Sequence, residues 1–133
     1  WPPGAHASTF GGNPIACAAA LATLELVETV YMANAANLGE VLGGGLQQIA
    51  KKHPTIQNPR GLGLLRAVDI VNRRTGKADP KLRERILQES FNRGLLLLGC
   101  GETSIRFIPP LCINEAQLEA GLRLFDEAVA TVA

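Results

Sequence analysis

Aromatic side chains are scarce: one Trp, one Tyr and four Phe make up 5% of the 133 residues. A surface that stacks nucleobases needs more of them. Neither sign of charge accumulates, because 13 basic and 12 acidic side chains leave a net +1. That balance gives no electrostatic footprint for nucleic acid. Unbroken apolar runs are short too. None approaches the roughly 20 residues of a membrane helix, so no membrane partner is expected, and no signal-peptide pattern is seen. The three cysteines, Cys17, Cys100 and Cys112, are an odd number without metal-ligand spacing. Each lies in an apolar stretch, which reads as reduced core thiols in a cytoplasmic protein. A nucleophile elbow, a zinc motif and a phosphate-binding P-loop are all missing.

What is present is enough apolar material for one core. Hydrophobic residues make up 47% and charged residues 19%, in a chain of single-domain length. The opening Trp1-Pro2-Pro3 has no initiator methionine and leads almost at once into a helix start. That reads as a boundary within a larger protein. Asn13 can cap free N–H groups, and Pro14 loses no hydrogen bond at the first helical position. The small apolar run Ile15 to Ala22 predicts a helix to about Met32, buried on most sides. A second helix is expected over residues 33–52, with Leu38, Val41, Leu42, Leu46 and Ile49 as one stripe. Gly43-Gly44-Gly45 in its middle signals a bend or close packing.

After His53-Pro54, residues 60–71 read as a strand, followed by a polar turn containing Gly76. Pro80 opens a third helix with Leu82, Ile86, Leu87 and Phe91 inward, ended by Gly94. Leu95 to Leu98 suits a short buried strand. Ser104 to Ile108 forms another strand, stopped by Pro109-Pro110. Asn114-Glu115-Ala116-Gln117 is a capping-box pattern. It launches a last helix with Leu118, Leu122, Phe125, Val129 and Val132 buried. The order helix, helix, strand, helix, strand, strand, helix makes an α+β fold, a small sheet covered by helices.

Two places could carry chemistry. In the loop Gly4 to Asn13, Ser8 and Thr9 stand just before a helix N-terminus, where hydroxyls, free N–H groups and the helix dipole suit a phosphate. The same residues equally build a plain turn before a capped helix. Arg106, flanked by Ile105 and Phe107, presents a fork of donors that matches a carboxylate. An ordinary partly buried ion pair would use it just as well. His6 and His53 have no acid or nucleophile pattern beside them. Lys51, Lys52, Lys77 and Lys81 lie in charged or turn-like surroundings, unlike the desolvated amine of Schiff-base chemistry. No catalytic residue is assigned.

Four segments in order carry a family resemblance: Ser8-Thr9-Phe10-Gly11-Gly12-Asn13-Pro14 with the alanine run behind it, Arg60-Gly61-Leu62-Gly63, Arg93-Gly94-Leu95-Leu96, and Ile105 to Leu111. Together they resemble the C-terminal part of class III pyridoxal-phosphate aminotransferases, the group of the 4-aminobutyrate, ornithine and acetylornithine enzymes. The resemblance covers essentially the whole chain. It implies the C-terminal small domain of a fold-type I enzyme over residues 1–133, with its preceding interdomain helix and a small antiparallel sheet. The large domain and its cofactor lysine lie outside the chain, so this piece alone is expected to be inactive. The resemblance further implies a homodimer acting on an amino acid and a keto acid. Ser8 and Thr9 match the position that binds the phosphate of pyridoxal 5'-phosphate in the partner subunit, and Arg106 matches an arginine that meets a substrate carboxylate or a glutamate. The loop Gly101 to Ser104 is shorter than in the bacterial 4-aminobutyrate type, while Leu97 to Gly101 resembles that branch. A same-fold aminomutase or racemase, or a non-catalytic interaction module, would share the fold.

Overall fold

The computed structural model describes residues 2–133. Asn13 and Pro14 begin α1 (Pro14–Leu26): the Asn13 Oδ1 accepts from the N–H of Ile15 at 2.9 Å and of Ala16 at 3.3 Å. The expected break near Met32 is absent. A π-helical turn, Val27–Tyr31, joins α1 to α2 (Met32–Lys52), with the Met32 N–H donating five residues back to Val27. One continuous helix of 39 residues therefore runs from Pro14 to Lys52, and it includes an 18-residue window of mean hydropathy 1.6. By length and composition that helix could cross a membrane. The reading of short apolar runs overlooked it, because isolated polar residues interrupt the run without offsetting so many alanines and leucines.

A second expectation fails on α1. None of its residues is buried, and it packs against no element except the π-turn that continues it. Helix α2 behaves as its periodicity predicts, with Leu38, Leu42, Leu46 and Ile49 buried in one stripe. Its glycines mark close packing. A Cβ on Gly39 would stand 2.5 Å from the Gly63 backbone, and one on Gly43 would stand 3.1 Å from the Arg66 guanidinium. On Gly45 it would collide with Leu122 of the last helix.

The single strand expected over residues 60–71 is a hairpin, β1 (Ile56–Leu62) and β2 (Leu65–Ile70). Leu62 pairs with Leu65 across a two-residue turn, and Gly63 takes φ 51° at its first position, where such turns favour glycine. β1 was hidden because it carries Pro59 and a bulge between Gln57 and Arg60. Asn58 adopts φ 53° within it. Bulges are where strands tolerate proline. Helix α3 (Pro80–Asn92) is capped by the Asp79 side chain on Leu82 N–H. Its buried positions are Leu82, Ile86 and Ser90. Phe91 is exposed rather than inward, one residue beyond the stripe of period four.

The run Leu95 to Leu98 is mostly lead-in: β3 covers Leu98–Cys100, and Leu96 and Leu98 are exposed. β4 (Ser104–Phe107) completes an antiparallel sheet of order β1-β2-β4-β3. Helix α4 (Glu115–Val132) starts with the expected capping box between Asn114 and Gln117. Helices α2 and α3 cover one face of the sheet, where Ile56, Val68, Ile70, Ile105 and Phe107 are buried, and α4 packs on both helices and reaches the sheet through Phe125 against Phe107. The α+β class stands as expected. The cysteines do not: all three are free, Cys17 and Cys112 are exposed and Cys100 is half-buried, so none belongs to the core. Apolar neighbours in sequence had stood in for burial, and α1 and the loop after β4 are open.

Candidate functional site

Residues alternate across the sheet, so the pairing register fixes what its uncovered face presents. One row holds Arg60, Ala67, Arg106 and Leu98; the next holds Gln57, Asp69, Ser104 and Cys100. Arg106 thus lies mid-sheet, held by a strand whose neighbours Ile105 and Phe107 point into the core. Pro109 and Pro110 cannot extend the ladder and end it just beyond. Arg106 makes no ion pair among the described residues. Its Nε is buried without a hydrogen-bond partner. A buried donor in that state costs roughly 1–3 kcal/mol, more when charged. It also borders a largely apolar cavity of about 430 Å³ lined by Leu95, Leu97, Ile108, Pro110 and Leu122. The terminal N–H groups of the same guanidinium, which are not enclosed and make no hydrogen bond among the described residues, are open to an anion delivered to this face.

The Ser8–Thr9 loop is exposed, ahead of α1. The Ser8 Oγ accepts from the Phe10 N–H at 3.3 Å, which leaves its own hydrogen to donate. Thr9 makes no side-chain hydrogen bond among the described residues. The free amides of the helix start are another matter, because Asn13 already occupies those of Ile15 and Ala16. This loop therefore fits a phosphate held by hydroxyls, assisted by the helix dipole, with those helix-end N–H groups taken.

The structure does not bring the two places together. Leu42, beside the Arg106 cavity, lies 28 residues along the helix from Pro14, about 40 Å at 1.5 Å per residue. The lysines Lys51, Lys52, Lys77 and Lys81 are all exposed, and Lys52 is paired with Asp126 at 2.5 Å.

Sequence reasoning missed a polar cluster next to Arg106. Arg60 Nη2 lies 2.8 Å from Asp69 Oδ1 and donates to Ser104 Oγ at 3.1 Å. Ser104 Oγ donates to Asp69 Oδ1 at 2.5 Å, and Asn58 Nδ2 donates to Asp69 Oδ2 at 3.0 Å. Burial pushes the Asp69 carboxyl up, but the hydrogen bonds from Ser104, Asn58 and Arg60 and the Arg60 charge outweigh it, so it titrates below the ordinary range. The available signal was an aspartate in an apolar strand, Val68-Asp69-Ile70, which needs partners. Finding them required the hairpin. A further arginine, Arg66, bonds the carbonyls of Gly39, Gly61 and Gly63 at 2.8–3.0 Å and fastens α2 to that hairpin.

A family model described as "Aminotransferase class-III" matches residues 1–129. The acetylornithine aminotransferase of Nostoc sp. is 40% identical over 98% of this chain and 30% of its own length. The 4-aminobutyrate aminotransferase of Escherichia coli is 41% identical over 95% of the chain and 32% of its length. Among solved structures, the acetylornithine aminotransferase of Elizabethkingia anophelis superposes with a TM-score of 0.83 at 31% identity, covering 98% of this chain and 33% of that one. The chain spans about a third of the length of the relatives it matches.

Proposed function

Since the chain belongs to the class III aminotransferase family, we propose that it is the C-terminal small domain, with the preceding interdomain helix, of a cytoplasmic pyridoxal-phosphate-dependent aminotransferase. The enzyme moves an amino group from an amino acid to a keto acid, with an ω-amino acid of the 4-aminobutyrate kind favoured as donor. The observation that carries this reading is the guanidinium of Arg106, partly buried on an open sheet face with an unsatisfied Nε. The terminal N–H groups of that guanidinium stay free for a substrate carboxylate, and a fork of donors fixes its orientation.

Pyridoxal phosphate, when bound, supplies the electron sink for this chemistry. This chain's residues contribute binding and orientation. Arg106 holds the carboxylate, and the apolar walls beside it exclude water, which strengthens the charge pairing. Ser8 and Thr9 donate their hydroxyl hydrogens to a phosphate. The roughly 40 Å of helix between the two places means that they serve different active sites. That separation supports a homodimer in which the loop reaches the partner's cofactor. The exposed lysines fit no Schiff-base role, so the piece alone is inactive.

Three measurements test the reading. In the full-length protein, Arg106→Ala should raise KM for the amino acid by about 10- to 100-fold, the loss of a charge-assisted hydrogen-bond pair; an unchanged KM would remove Arg106 from the site. Ser8→Ala with Thr9→Ala should weaken cofactor binding while leaving the urea midpoint of the cofactor-free protein unchanged. The open apolar surface of α1 predicts that the 133-residue chain self-associates, and a monomeric sedimentation profile at high concentration would count against it.

A further inference from the structure

Asp69 is the one acidic side chain in the four strands, and it sits diagonally from Arg106. Ala67 pairs with Arg106 and Asp69 with Ser104, all on the uncovered face. Diagonal neighbours in a sheet are within reach of long side chains, so a carboxylate there is the natural internal partner for Arg106. It does not pair with it. Both Asp69 oxygens are taken instead, Oδ1 by Arg60 and Ser104 and Oδ2 by Asn58. The backbone is arranged for this grip. The bulge between Gln57 and Arg60, with Asn58 in the left-handed region at φ 53°, brings both Asn58 and Arg60 onto Asp69. Meanwhile the Arg106 Nε stays unsatisfied.

We propose that Arg60, with Ser104 and Asn58, is a positioning group that sequesters Asp69 and so keeps Arg106 open for a substrate carboxylate. This inference rests on the carboxylate role of Arg106 and adds residues that touch neither substrate nor cofactor. Without the Arg60 charge, Asp69 keeps only the neutral donors of Ser104 and Asn58, and among the described residues the unpaired guanidinium on its face, Arg106, becomes the stronger attraction. An internal ion pair then competes with the incoming carboxylate, which weakens binding without altering the reacting groups.

The test uses the full-length enzyme with its cofactor bound and butyrate, a carboxylate with no amino group, as the calorimetric probe. Arg60→Met keeps the aliphatic stem and removes the charge. Butyrate affinity and 1/KM for the amino acid should fall together by about tenfold, the scale of one charge-assisted contact, with kcat changed much less. Adding Asp69→Asn to Arg60→Met should recover most of that loss, since the competing carboxylate is gone. Damage to the fold predicts the opposite, a double variant no better than the single one. Ser104→Ala, which removes one donor and keeps Arg60, should shift affinity the same way by a smaller factor and serves if Arg60→Met does not fold. Unchanged butyrate binding in Arg60→Met, or no recovery in the double variant, overturns the proposal. Arg106→Ala separates the two levels: if it leaves butyrate binding intact, the carboxylate reading itself fails. If it abolishes binding while Arg60→Met does nothing, only the sequestering role fails.

Discussion

The two halves of the Pro14–Lys52 helix share one backbone and part company on burial. In α1, alanine and leucine appear on every side, no residue is buried, and Leu21 and Leu24 are largely exposed. In α2, a less apolar sequence buries Leu38, Leu42, Leu46 and Ile49 along one stripe and lays Gly39 and Gly43 against the hairpin and Gly45 against α4. Hydrophobic content alone does not decide where a helix goes. Periodicity assigns α2 one partner face, whereas a helix apolar all round needs cover on several sides. The described residues supply none of that cover for α1. Relatives about three times as long have the length to provide it.

The sharpest way to break the contrast is to truncate a side chain in each region and unfold the 133-residue chain in urea. Phe125 is fully buried and meets Phe107 edge-to-face, with centroids 5.0 Å apart at 83°. Phe125→Ala should cost about 3–5 kcal/mol. At concentrations low enough to keep the chain monomeric, Leu21→Ala on α1 should stay within about 0.5 kcal/mol. Equal costs would mean that α1 is packed in solution after all.

A smaller effect sharpens the comparison inside α2 itself. Gly39→Ala places a methyl group against the Gly63 backbone, which cannot rotate away, so a loss of about 1–3 kcal/mol is expected. Gly44→Ala meets nothing within 4 Å and should stabilise the helix by up to about 1 kcal/mol. The pair reads out on the urea midpoint, and the same sign for both substitutions would refute the packing described for this stretch.

How much of this was legible depends on how local each cause is. Asn13-Pro14, Asp79-Pro80 and the Asn114–Gln117 box act within one helical turn, and the helices begin where those residues place them. Arg106 was visible as a charge in an apolar strand. β1 was not, because Gln57-Asn58-Pro59 reads as a loop until β2 pairs with it across the bulge. The partners of Asp69 come from β1 and β4, 11 and 35 residues away in sequence, and depend on that pairing. The exposure of α1 was illegible for another reason. A fully apolar helix announces burial, but the burying surface is a property of neighbours and not of the segment.

The smallest expected effect concerns how the buried half is fastened at its end. Lys52 Nζ lies 2.5 Å from Asp126 Oδ2 and His53 Nε2 lies 2.7 Å from Oδ1, which ties the end of α2 to α4. Burial raises the Asp126 carboxyl, yet the hydrogen bonds and charges of Lys52 and His53 outweigh it and leave it below the ordinary range. A carboxyl depressed by folding contributes stability above its unfolded pKa and loses it as pH falls through the folded value. The chain should therefore weaken on acidification below the usual carboxylate range, with Asp69, depressed in the same direction, adding to the slope. Asp126→Asn should lower neutral stability by less than about 1 kcal/mol, because Lys52 is largely exposed and water screens the pair. It should also flatten the acid limb of urea midpoint against pH. An Asp126→Asn protein with the parent's acid slope would show that the tie between α2 and α4 is not electrostatic.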